Sequence, residues 1–144
     1  MSTLRRRVDL ENAIERGQEV RERRAIVLAR AIRQLEVATL ERDEAKAELD
    51  KARDALERAR ARAPIAQVGY GNLGSPLHPH GEPDPEIASE FSAWWSAKEQ
   101  LAPLESSLGV TTRAHDDARD ALAAADEQLA AWRVELALLE SVPA

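Results

Sequence analysis

The sequence predicts an all-α fold: an elongated antiparallel helical hairpin with a coiled-coil-like, alanine-rich seam. A Pro/Gly loop and a short amphipathic helix are expected as an insert at its tip. Three observations predict this. Leu28, Ala31, Leu35, Ala38, Arg42, Ala45, Leu49, Ala52, Leu56, Ala59 and Ala63 recur at alternating steps of three and four, the spacing of a heptad seam. Leu104, Leu108, Thr111, His115, Ala118, Leu122, Ala125, Leu129, Trp132, Leu136 and Leu139 repeat the pattern over an equal span. Finally, only 3% of the chain is aromatic while 32% is charged. A globular centre needs bulkier side chains, whereas paired rods need only a narrow stripe and broad solvated faces.

The first helix is expected to begin near Leu4, with Ser2 or Thr3 as its cap. No proline follows until Pro64, so about 60 residues, roughly 90 Å, are free to be helical. Residues 1–27 read as an arginine-rich helical extension without a complete apolar face. Leu4, Val8, Leu10, Ile14, Val20 and Val27 fit no single frame, and Gly17 marks a hinge. Pairs such as Arg5–Asp9, Arg7–Glu11 and Glu19–Arg23 lie at the i, i+4 spacing that supports a solvated helix. Residues 28–63 form the first rod.

Ala63-Pro64 ends that rod, since a residue before proline is pushed out of the helical region. Residues 64–85 hold five of the seven prolines and four of the six glycines, and read as a long loop. Within it, Gly69 to Gly74 matches G-x-G-x-x-G. The match is rejected as a phosphate cradle, because Ser75-Pro76 follows where a helix would have to open. His78, His80, Glu82 and Asp84 carry ligand chemistry. Their spacing is not helical, and a polar exposed loop explains them better than a metal site. No cofactor and no metal are expected.

Asp84-Pro85-Glu86 is a helix start, with Asp as cap and Pro in the first turn. Residues 86–101 are read as the short helix, with Ile87, Phe91, Trp94 and Trp95 on one face. Consecutive tryptophans diverge by about 100° around a helix, so one ring is a candidate anchor for a partner. Residues 104–140 form the second rod, opened by Pro103 and expected to kink at Gly109 with Thr111 or Thr112 as cap. Arg42 and His115 are polar exceptions in the seams and read as register devices.

Charge is uneven along the chain. Residues 1–33 hold nine arginines against five acids, whereas residues 104–144 hold three arginines against eight acids. A basic front and an acidic back favour pairing within the chain or between copies. There is no cysteine, and neither a signal peptide nor a membrane span is expected. The chain is therefore expected in the cytoplasm or within an assembled particle, and its Ala- and Arg-rich composition suits a bacterial or phage genome.

No catalytic constellation is present in the sequence. The functional expectation is a non-catalytic assembly, adaptor or structural subunit acting through protein–protein contacts, with homo-oligomerisation favoured. Phe91, Trp94, Trp95, Arg5, Arg6, Arg7, Arg21 and Arg24 are the candidate contact residues. The alternative is a regulator of a nucleic-acid machine, using the basic N-terminal arm or an acidic tip of Glu82, Asp84 and Glu86. Interleaved glutamates make nucleic acid the less favoured partner.

Overall fold

A computed structural model describes residues 2–62 and 87–141. The described residues are all-helical, forming two helices that pack against each other. Helix α1 spans Thr3–Arg62 and helix α2 spans Ala88–Glu140. The chain divides into two compact units. One is Met1–Glu36 with Val110–Ala144, and the other is Val37–Gly109. Each unit takes a stretch of both helices.

The start of α1 follows from local chemistry. The backbone N–H of Arg5 donates to Ser2 Oγ at 3.2 Å, so Ser2 is the cap that satisfies one of the helix's free amides. The end of α1 at Arg62 lies just before Ala63-Pro64. Between these ends the many Ala, Arg, Glu and Leu residues are strong helix formers.

In the first unit the two helices run antiparallel. Arg6 pairs with Glu135, Arg21 with Asp126, and Arg24 reaches the carbonyl of Ala121. Numbers rise along one helix as they fall along the other. Leu10, Ala31, Ala118, Ala125 and Leu129 are buried. The half-buried and buried positions of α1 here include 10, 13, 17, 20, 24, 28, 31 and 35. These alternate at three and four, apart from two successive steps of four around position 24.

This pattern corrects the expectation for residues 1–27. They are not an unpaired extension, and Gly17 is not a hinge. Leu10, Ile14 and Val20 face inward, while Leu4, Val8, Ile26 and Val27 are exposed. No single frame could hold both sets. The frame itself passes through Gly17 and Arg24, two residues that hydrophobic spacing cannot detect. Gly17 is required for close approach. A Cβ there would stand 2.8 Å from Leu129 Cδ2 and 2.9 Å from Trp132 Cζ3, closer than carbon atoms pack.

The pairing register is corrected with it. End-matched seams would set Leu129 opposite Ala38. Leu129 instead packs beside Gly17, so the shift from position 38 to position 17 is about 21 residues, or three heptads. The cause is the length of α2. Residues 86–101 and 104–140 are not separate elements, since a single helix runs from Ala88 through Pro103 to Glu140. Gly109, Thr111 and Thr112 lie inside it, so the threonines do not cap it. Proline removes one helical hydrogen bond and crowds the preceding turn, at a cost of about 3 kcal/mol. Burial of Leu101, two residues earlier, favours keeping this stretch helical.

The second unit has its core at Leu56, Ala59 and Ile87, with Phe91 and Trp94 packed against it. Ala38 and Leu101 are also buried in this unit. Along α1, positions 38, 42, 45, 49, 52, 56 and 59 are all buried or half-buried, as the sequence spacing predicts. The loop expected over 64–85, with its histidines, glycines and acidic tip, lies outside the described residues, as does the helix start at Asp84 to Glu86.

Candidate functional site

The helix spacing of the second unit builds an aromatic cluster on the first turns of α2. Ile87, Phe91 and Trp94 follow steps of four and three, so they share a face and meet Leu56 and Ala59 of α1. Trp95 is one residue, about 100°, further around. It leaves the interface and is 47% exposed. The pair of tryptophans thus splits into one ring against the core and one at the surface.

The exposed ring is held in place. Phe91 lies i−4 to Trp95, and the two rings stack at 6.4 Å with 21° between their planes. Trp94 and Trp95 have centroids 6.1 Å apart, and Phe91 and Trp94 5.9 Å apart. Such tilted and offset pairs suit the ring quadrupoles. One turn on, the Lys98 ammonium stands 5.1 Å from the Trp94 centroid and 5.8 Å from that of Trp95, a cation–π arrangement. The indole N–H of Trp95 donates to Glu99 Oε1 at 2.7 Å. The ring's edge is therefore satisfied, and its apolar face is what remains for a neighbour. The result is an aromatic surface bordered by Lys98 and Glu99.

The arginines predicted as a second contact are used differently. Arg6 Nη2 lies 2.6 Å from Glu135 Oε1. Arg7 is shared between Glu11 at 3.3 Å and Glu140 at 3.5 Å. Arg21 pairs with Asp126. Arg24 Nη1 donates to the Ala121 carbonyl at 2.9 Å. These four tie α1 to α2 within the first unit, while Arg5 is exposed at the helix start. Exposed ion pairs of this kind set orientation and register more than they add stability.

The polar seam residues Arg42 and His115 contact the acids that follow them in sequence. Arg42 Nε donates to the adjacent Asp43 at 2.9 Å, and His115 Nδ1 lies 3.1 Å from Asp116 Oδ1. Among the described residues no three His, Cys, Asp or Glu side chains are grouped to hold a metal. None of the described helices is long and apolar enough to cross a membrane.

The sequence pointed to Trp94 and Trp95 through their number and spacing. It did not point to Lys98 and Glu99, although both lie at the i+3 or i+4 offsets from the tryptophans that bring helical neighbours together. No family model matches the chain, and no curated protein or solved structure matches it.

Proposed function

We propose that this chain is a non-catalytic helical subunit that works through protein–protein contact, as an assembly or adaptor component of a larger complex. The observation that carries this reading is the exposed, positionally fixed ring of Trp95. An indole held by Phe91, Lys98 and Glu99 loses little entropy when a partner covers it, and Trp is enriched where interfaces concentrate their energy. The thin cores give further support. Among the described residues of the first unit, Leu10 and Leu129 are the only large side chains of the five buried hydrophobics. A fold with so little buried area gains from further burial against a neighbour. A coiled-coil supercoil of α1 and α2, a bacterial or phage particle as the setting, and an oligomeric state belong to the same proposal.

The nucleic-acid reading draws less support, because Arg6, Arg7 and Arg21 already face carboxylates. A surface that tracks phosphates needs free cations.

The test is site-specific photo-cross-linking in the native source, with the cross-linker at Ser96, which is exposed beside Trp95. One discrete adduct is expected, lost on Trp95→Ala while helical circular dichroism and the melting curve stay unchanged. An adduct pattern indifferent to Trp95→Ala would refute the reading.

A further inference from the structure

We infer that a groove in the unit Met1–Glu36 with Val110–Ala144 is the docking site for the outer face of α2 from a second copy of this chain. The inference rests on the protein-contact reading above and names a partner and a surface for it.

The groove runs between α1 and α2 and encloses about 460 Å³. Ala13, Gly17, Val20, Ala124 and the ring of Trp132 line it. Small side chains on both helices leave room for a third helix to come close, which favours dispersion contacts along its length. Arg16 and Arg24 also border this groove. Arg24 spends one N–H on the Ala121 carbonyl, and neither guanidinium has a carboxylate partner among the described residues. The groove on the other side is different. Arg21, Glu22, Asp126 and Arg133 line it, and the Arg21–Asp126 pair neutralises charge there. The first groove thus calls for a helix with small apolar residues and acids at matching intervals.

Helix α2 carries such a stripe on its own outer face. Asp120, Ala123, Glu127, Ala130, Val134 and Leu138 recur at steps of three and four, and all are exposed. They lie opposite the inward positions Ala118, Ala125 and Leu129. Asp120 and Glu127 are seven residues apart, about 10.5 Å along a helix, and Arg16 and Arg24 are eight apart, about 12 Å. Long guanidinium side chains span the difference. Glu127 has no cationic partner among the described residues, and Asp120 meets only its neighbour Arg119 at 3.5 Å. Ala123 and Ala130 flank Glu127 and suit the alanine and glycine floor. The groove and the stripe are different surfaces of one unit. Each copy therefore offers its groove to one neighbour and its stripe to another, and the contact propagates as a ring or filament rather than stopping at a dimer.

Sedimentation velocity of the full chain from low to high micromolar concentration tests this. Mass is expected to grow beyond a dimer, and to fall back at high salt. Arg16→Glu with Arg24→Glu, or Asp120→Lys with Glu127→Lys, should each raise the concentration of half-association by about tenfold or more per reversed charge. Mixing the two double variants should restore association, because each then meets a complementary surface. Arg16→Gln with Arg24→Gln, checked by circular dichroism, guards against a folding defect. A chain that stays monomeric overturns self-docking and leaves the groove to a foreign acidic helix. Association indifferent to all four reversals overturns it as well. Either failure, with the Trp95-dependent adduct present, leaves the protein-contact reading standing, whereas a wild-type chain that yields no discrete adduct, or one indifferent to Trp95→Ala, refutes that reading independently.

Discussion

Two glycine-to-alanine substitutions in these helices should move stability in opposite directions. Both positions are helical, so alanine gains the same intrinsic amount at each, about 1 kcal/mol. The entropy removed from the unfolded chain is also the same. The environments differ. Apart from the adjoining residues and the helix's own backbone, no described atom lies within 4 Å of the methyl added at Gly109, so Gly109→Ala keeps its full gain. At Gly17 the methyl would stand 2.8 Å from Leu129 Cδ2 and 2.9 Å from Trp132 Cζ3. Leu129 is only 2% exposed and cannot swing aside into solvent, and the indole moves only as a rigid plate. Overpacking of this kind costs about 1–3 kcal/mol. Gly17→Ala should therefore lose about 1 kcal/mol net, and the two variants should differ by about 2 kcal/mol, up to about 30-fold in the folded-to-unfolded ratio. Urea unfolding followed by helical circular dichroism and by tryptophan fluorescence measures both. If Gly17→Ala stabilises the protein as much as Gly109→Ala, the close approach of Trp132 to α1 is not formed and the pairing register described above is wrong.

Two other outcomes follow from the same packing. Ile87→Ala removes a core neighbour of Leu56 and Ala59 and should cost about 2–3 kcal/mol, with tryptophan emission shifting red as Trp94 loses apolar cover; an unchanged spectrum would contradict that core. Arg21→Gln breaks an exposed pair with Asp126 and should cost no more than about 1 kcal/mol, so a larger loss in urea titration would mean the pair is better shielded than its exposure implies.

Much of the secondary structure was legible in the residues. Ser2 as cap and the stop before Ala63-Pro64 are decisions made within a few residues, and they place the ends of α1. The inward positions from Leu28 to Ala59 follow the sequence spacing throughout. The aromatic cluster was half legible: the tryptophans are visible in the sequence, but the placing of Lys98 over both rings depends on how the helix turns. The front of α1 is not legible, because its inward face passes through Gly17 and Arg24. Hydrophobic periodicity counts the large apolar groups, and here Leu4, Val8, Ile26 and Val27 point outward. The continuity at Pro103 is not legible either: its intrinsic cost argues for a break, whereas the helix continues past it.

The sequence by itself determined that the described stretches are helical, where the first helix starts and stops, and which stripe of α1 beyond Leu28 turns inward. Those properties are set by propensity, capping and spacing, which act over a turn or two. Only the tertiary structure decided which part of one helix meets which part of the other. A heptad stripe looks the same after a slide of seven residues, so spacing alone leaves the register degenerate. Gly17 lifts that degeneracy: its missing side chain makes the space that Leu129 and Trp132 occupy, and it draws the arginine-rich start of α1 into the fold.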